Sequence, residues 1–325
     1  MVVVSAGDGR SRRGMRGEAA ERRGQAVRAV EAFLVRWCDG DGELARIARG
    51  VLAVPGKRLR ARLVLAAAAL GDAELGDPDA VRAAAAVELL HEASLVHDDV
   101  CDRSPVRRGA PSVASACGMR VAVRLGLWLA ARGLALIGEL EARRRLGLAL
   151  APLAALAEGQ LLETVRCGAG IAERREHYLA VVRAKTGALI RMACDAGARV
   201  GGVGEVGRAA LAAFADRFGT AFQIWDDIRD LEAPVSLGKP GGSDLANGVW
   251  TWPMLEWLAD RPDAAARVER GISLEALRGE LIAAGALRRA RGFATAELGR
   301  ACDALGPLPE RPGRAWLVEL CEVAA

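Results

Sequence analysis

Lysine, histidine and tyrosine are the scarce residues of this chain. It has three lysines (Lys57, Lys185 and Lys239), three histidines and one tyrosine in 325 residues. Seven cysteines are scattered at 38, 101, 117, 167, 194, 302 and 321 without a Cys-x-x-Cys pair. With so few histidines beside them, that pattern argues against a structural zinc or transition-metal cluster. An odd number of scattered thiols also argues against a disulfide framework and fits a reducing cytoplasmic location. Aromatics make up only 4% and the net charge is only +4, so no nucleic-acid partner is expected. The longest charge-free run, 146–157, falls short of the roughly 20 apolar residues of a membrane helix, and no transmembrane segment is expected. Around Arg10, Arg12, Arg13 and Arg16 there is no apolar core segment of the kind a secretory signal needs.

What is abundant is helix-forming. Apolar residues reach 52%, dominated by Ala and Leu, and nothing alternates with a period of two for long enough to make a sheet. The chain reads as a flexible Arg/Gly-rich arm, 1–17, followed by one all-α domain over 18–325. Breakers separate the helical blocks: Asp39-Gly40-Asp41-Gly42, Val54-Pro55-Gly56, Gly76-Asp77-Pro78 and Gly201-Gly202. Long buried helices are predicted over 57–70 and 78–102. Two more are predicted over 125–163 with a break near Pro152, and others over 178–199 and 209–231. Residues 233–248, rich in Gly, Pro, Ser and Asn, are predicted as a functional loop.

Two segments carry the chemistry. His97-Asp98-Asp99-Val100-Cys101-Asp102 and Trp225-Asp226-Asp227-Ile228-Arg229-Asp230 both read DDxxD, and together they hold six of the 18 aspartates. On a helix, Asp98 and Asp102 lie one turn apart on one face, as do Asp226 and Asp230. Like charges so placed repel, and both clusters follow apolar turns, so a cation is needed to neutralise them. All-oxygen ligands at this spacing suit Mg²⁺ shared with phosphate oxygens. A lone DDxxD reads more readily as a solvated acidic helix end; two are hard to ascribe to coincidence.

Two such sites facing each other imply a diphosphate between them, and basic segments are available to hold it. Gly56-Lys57-Arg58-Leu59-Arg60 follows a Pro-Gly break near a helix start, where backbone amides favour anions. Arg107-Arg108-Gly109 follows the first cluster beyond Pro105. Lys185-Thr186-Gly187 is predicted inside a helix, and Gly238-Lys239-Pro240 lies on the long loop. All three lysines of an otherwise Arg-written chain fall in these segments. A compact ammonium on a flexible stem can follow phosphate oxygens where a planar guanidinium cannot.

Read together with Gly159-Gln160-Leu161-Leu162-Glu163, these segments resemble the trans-isoprenyl diphosphate synthase (polyprenyl synthetase) family from about Val54 to the C-terminus. The resemblance implies an isoprenoid-synthase helical bundle around a central cavity, with the aspartate helices facing across its mouth. It implies Mg²⁺-dependent head-to-tail condensation of an allylic prenyl diphosphate with isopentenyl diphosphate, using about three Mg²⁺ per site. Asp98, Asp102, Asp226 and Asp230 would be the metal ligands. Asp98, Asp99, Asp102, Lys185, Asp226 and Asp227 would be the catalytic set. Arg107, Lys185, Thr186, Gln223 and Lys239 would hold the allylic diphosphate, and Lys57, Arg60, His91 and Arg108 the isopentenyl diphosphate. His97, Phe222 and Trp225 read as structural. Ala93 and Ser94, one turn before Asp98, are small where short-chain members carry an aromatic plug, which implies a product of C20 or longer. A homodimer is also implied.

The chain departs from the family pattern at Val249, where a lysine is common, and at Arg103 and Pro105, where acidic residues are common. Two other readings compete. A class I terpene cyclase would not need Gly-Lys-Arg-Leu-Arg or the second DDxxD. A non-catalytic subunit of a heteromeric prenyltransferase would tend to lose aspartates, and this chain keeps all six.

Overall fold

A computed structural model describes residues 8–54, 56–144, 146–148, 150–165, 170–232, 249–261 and 263–325. The helices, in chain order, are α1 (Asp8–Trp37), α2 (Glu43–Ala53), α3 (Leu59–Ala68), α4 (Pro78–Cys101), α5 (Val113–Cys117), α6 (Met119–Arg144), α7 (Ala151–Thr164), α8 (Ile171–Val182), α9 (Ala188–Val200), α10 (Glu205–Glu232), α11 (Trp252–Asp260), α12 (Ala264–Glu269), α13 (Leu274–Ala283), α14 (Ala286–Ala304) and α15 (Pro312–Ala324). A single π-helical turn, Arg183–Gly187, joins α8 to α9. The one strand pairing among the described residues is a hairpin of two-residue strands, β1 (Val106–Arg107) and β2 (Ala110–Pro111). The fold class is all-α, as the composition predicts.

Helix α4 is the spine, and its local sequence dictates both ends. The Asp77 side chain accepts from the amides of Asp79 (2.8 Å) and Ala80 (3.0 Å), and Pro78 supplies a preset first turn. An alanine-rich body follows, thin enough for α3, α6 and α9 to pack closely around it. The helix closes at Asp102, so the first aspartate cluster sits on its last turn. Ala83, Ala84, Val87, Leu89 and Leu90 of α4 join Leu63 and Val64 of α3 and Leu125, Leu129 and Leu136 of α6 in the main core. A smaller core of Met254, Trp257, Leu277, Leu281 and Leu287 ties α11, α13 and α14 together.

Two expectations need correcting. The arm expected over 1–17 is in part helix, since α1 already runs from Asp8. Arg10, Arg12, Arg13 and Arg16 are good helix formers, and a helix nucleated by the packed stretch downstream extends back through them despite Gly9, Gly14 and Gly17. Helix α6 is long and apolar enough, by length and composition, to cross a membrane. Eight of its residues, Ala122 to Leu140, nevertheless form a buried stripe in the bundle. The predicted break near Pro152 lies just upstream of it, and Pro152 opens α7. The 233–248 loop, with Lys239, lies outside the described residues.

Candidate active site

The first aspartate cluster ends α4 and divides by helical direction. Asp98 faces the bundle's mouth, where its Oδ1 lies 2.9 Å from Lys185 Nζ. Asp102, one turn on at the helix cap, is exposed at the rim. Partial removal from water, followed by the charge of Asp98, pushes the Asp102 carboxyl up to about 6. Both causes disfavour the ionised carboxylate. Asp99, 4% exposed, points elsewhere: its Oδ1 accepts from Arg107 Nε at 2.9 Å and from a second nitrogen of the same guanidinium.

The second cluster repeats the division on α10. Asp226 is exposed and Asp230 half-buried, while Asp227 is 4% exposed. The Asp227 carboxylate accepts from Tyr178 Oη (2.5 Å), Gln223 Nε2 (2.9 Å) and the Trp252 amide (3.3 Å). Asp99 and Asp227, expected in the catalytic set, are thus the buried member of each motif and point to protein partners. The physical reason is that position i+1 on a helix lies about 100° from the face shared by i and i+4, here toward the interior.

The π turn connects the two clusters. Lys185 stands between Asp98 and Glu163, whose Oε2 is 2.6 Å from Nζ. Burial works against the ammonium, but the charges of Asp98 and Glu163 outweigh it and raise its pKa above the ordinary lysine value. Its neighbour Thr186 reaches the other way, donating its hydroxyl to Gln223 Oε1 at 2.7 Å. Both ends of the Gln223 amide are thus engaged inside the protein. Gly159 explains how α7 delivers Glu163: a Cβ there would meet the Lys185 amide nitrogen and Ala184 Cβ at 2.8 Å, so only glycine admits the approach. Glu163, one turn on, is a site residue that sequence reasoning quoted in a motif but gave no role.

The basic half assembles along α4 upstream of the first cluster, around Glu88, His91 and Glu92. The hairpin reverses at Arg108 (φ 53°) and Gly109 (φ 77°), two successive left-handed residues of the kind a tight hairpin needs. This turn sends Arg107 to Asp99 and Arg108 to Glu92, with Arg108 NH2 2.9 Å from Glu92 Oε1. Arg60, 9% exposed, lies 3.0 Å from His91 Nε2, and its Nε has no hydrogen-bond partner. Burial lowers the Arg60 pKa most; among the charges opposing that shift are Glu88, Glu92 and Asp226 of the second aspartate helix. Burial, then the charges of Arg60 and Arg108, hold His91 neutral far below its ordinary range. Lys57 is exposed beside them.

Sequence reasoning missed Glu88 and Glu92. Their signal was available: two glutamates one turn apart in an otherwise apolar helix must be paired if buried. Ala93 is buried in the main core, and Ser94 is half-buried with its hydroxyl donating to the His91 carbonyl at 2.7 Å. His97 is structural: its ring fills the notch over Gly126, where a Cβ would meet Nε2 at 2.2 Å. Phe222 and Trp225 pack against the core, as expected.

Among the described residues, no three His, Cys, Asp or Glu side chains form a metal cage of their own. The donor set fits Mg²⁺, which takes one or two carboxylates and completes its shell with substrate phosphate oxygens. Asp98 and Asp102, one turn apart at the end of α4, are such a carboxylate pair, and Asp226 is exposed on α10.

The sequence profile of the polyprenyl synthetase family matches residues 41–280. The chain is 33% identical over 299 residues to the heptaprenyl diphosphate synthase component 2 of Geobacillus stearothermophilus, covering 90% of this chain and 92% of that protein. It is 34% identical over 287 residues to the all-trans-nonaprenyl-diphosphate synthase of Rhodobacter capsulatus, covering 86% and 87%. Its fold matches the crystal structure of a polyprenyl synthase from Caulobacter crescentus complexed with calcium and isoprenyl diphosphate, with a TM-score of 0.85, 30% identity and coverage of 94% and 96%. Family profile, relatives and fold all agree with the paired aspartate helices, and the chain belongs to the polyprenyl synthetase family of prenyltransferases.

Proposed function

We propose that this chain condenses an allylic prenyl diphosphate head-to-tail with isopentenyl diphosphate, in the presence of Mg²⁺, to give an all-trans product of C20 or longer. One observation carries the reading: Lys185 and Thr186, adjacent on the π turn, reach the first and second aspartate helices respectively. The two DDxxD motifs therefore share one cavity, and a diphosphate is what they can share. Bound Mg²⁺ supplies Lewis-acid stabilisation of the charge that develops on the leaving diphosphate. Asp98, Asp102 and Asp226 would hold it; Lys185 and Arg107 hold the allylic diphosphate oxygens. Arg60, Arg108, Lys57 and neutral His91 bind the isopentenyl diphosphate beside it, about two turns back along α4. Apolar walls keep water from the allylic cation, which it would otherwise quench to an alcohol. The double bond of isopentenyl diphosphate attacks that cation, and the proton then lost goes to the departed diphosphate.

The small side chains of Ala93 and Ser94 below Asp98 support a long product. A homodimer is supported by the outward stripe of Met119, Val123, Leu127 and Leu134 on α6. A cytoplasmic location is supported by the free thiols of the six described cysteines.

The test is a product assay with Mg²⁺, isopentenyl diphosphate and each of the C5, C10, C15 and C20 primers. Chains of C20 or longer are expected, formed only when isopentenyl diphosphate is present. Products confined to C10 or C15 would sink the length assignment. Hydrocarbon formed from geranylgeranyl diphosphate alone would favour a cyclase. Inactivity of the chain alone, relieved by a partner protein, would favour a heteromeric subunit. Ala93→Phe shortens the product, because filling the channel leaves no room for further units.

A further inference from the structure

We propose that Glu92 is a positioning residue for the isopentenyl diphosphate half of the site. Its buried carboxylate holds two arginines in strained backbone conformations and thereby joins segments 56–60 and 106–111 into one anion cradle. The inference rests on the reading of Arg60 and Arg108 given above.

Three non-glycine residues among those described have a positive φ: Arg58 (46°), Arg103 (51°) and Arg108 (53°). Left-handed backbone disfavours any side chain with a Cβ, and arginine gains no local hydrogen bond there as Asn or Asp would. Such outliers persist only where the surroundings over-determine them, and for Arg108 the hairpin turn supplies part of that constraint. Two of the three converge on one oxygen: Arg58 NH1 is 3.3 Å and Arg108 NH2 2.9 Å from Glu92 Oε1. Glu92 is 2% exposed and Arg58 5%, so this contact is shielded from solvent. The Arg108 guanidinium also lies over Gly56, where a Cβ would meet its Cζ at 3.6 Å. The two segments are therefore in contact as well as bridged.

The same helix completes the arrangement one turn earlier. Arg58 stands at the N-cap of α3, where it provides no side-chain cap. Glu88 Oε1 takes that role by accepting from the Ala61 amide at 2.9 Å, and its other oxygen lies 3.7 Å from Arg58. Three arginines (58, 60 and 108) thus crowd one side of α4 against two carboxylates and a neutral histidine. Glu92 touches neither reacting atoms nor the metal-facing aspartates. Without its charge, Arg58 and Arg108 lose their common anchor while their mutual repulsion and backbone strain remain. Arg108 then leaves the position from which it binds diphosphate.

The experiment is steady-state kinetics on the full chain, with the allylic primer and isopentenyl diphosphate varied separately. Wild-type turnover comes first, because it establishes the reading on which Glu92 depends; later failures then count against Glu92 alone. Glu92→Gln should raise KM for isopentenyl diphosphate about tenfold or more and leave KM for the primer within about twofold. Glu92→Asp, which keeps the charge on a shorter stem, should recover part of the loss. In an Arg108→Ala background the Glu92→Gln change should add little, since both act through one contact. An unchanged KM for isopentenyl diphosphate overturns the proposal. So does a parallel rise of both KM values with a fall in melting temperature, which would mean a purely structural role. If Glu92→Gln does not fold, Glu92→Asp is judged by the same selective rise.

Discussion

The two DDxxD motifs are nearly the same sequence on two helices, yet their middle aspartates hold different things. In the first, Asp99 holds a single partner, Arg107, which comes from the hairpin just beyond the helix and remains partly exposed (27%). In the second, Asp227 gathers donors from three places: its own helix, Tyr178 of α8 and the amide opening α11. The first therefore sets a substrate-facing arginine, while the second locks helices together. The outer aspartates, by contrast, face the mouth in both motifs. The lesson is that a motif fixes which positions share a face, while the neighbours decide what the odd position does.

The largest expected effect tests the shared part of the comparison. Asp98→Ala should lower turnover at saturating substrate by a factor on the order of a thousand or more, because a metal-facing carboxylate is lost where leaving-group charge develops. Intact turnover would show that the first motif does not carry the chemistry.

Next comes the bridge between the motifs. Lys185→Arg should cost roughly ten- to a hundredfold in kcat although charge is kept. The space between Asp98 and Glu163 is built for a compact ammonium at 2.9 and 2.6 Å. Wild-type kinetics in this variant would also dissolve the significance of the rare lysines.

The middle aspartates sharpen the contrast directly. Asp227→Asn places an amide N–H among three donors and should cost about 1–3 kcal/mol in urea denaturation. Asp99→Asn weakens contacts to a single partner that is itself 27% exposed, so it should cost less stability than Asp227→Asn, while raising KM for the allylic primer. The reverse order of stabilities would break the comparison.

The smallest effect concerns His91. Burial, with the Arg60 and Arg108 charges next, keeps its ring neutral far below the ordinary value. An unfolded chain would protonate that histidine near pH 6.5, so the unfolded state binds more protons and stability falls as pH drops below about 6.5. His91→Gln removes this contribution. The stability lost between about pH 7.5 and about pH 5.5 should shrink by about 1 kcal/mol in the variant, measured by denaturation at both values. An equal loss in both proteins would mean that His91 already titrates normally when folded.

Much of this was legible beforehand. The Gly-Asp-Pro break and the alanine run wrote α4 into the sequence, and the i, i+4 spacing put Asp98 and Asp102 on one face without any structure. Arg60 and Arg108 were marked by basic residues beside turn signals, Lys185 by its rarity inside a predicted helix, and His91 only by the family resemblance. Less legible was the π turn, which differs from ordinary helix by one hydrogen-bond register and has no strong local signal. Glu88 and Glu92 stood in plain view as charged residues in an apolar helix. Their partners, however, come from segments that only folding brings near.

The sequence by itself determined the helical class, the faces of the two aspartate motifs and the need for a cation and a polyanion. These follow from short-range periodicity and like-charge repulsion, which act within a turn or two of chain. Tertiary structure alone decided that Asp99 and Asp227 turn inward, that Lys185 bridges Asp98 and Glu163, and that Glu92 holds Arg58 and Arg108. A buried charge takes the partner that packing presents to it, and packing joins residues that the sequence keeps far apart.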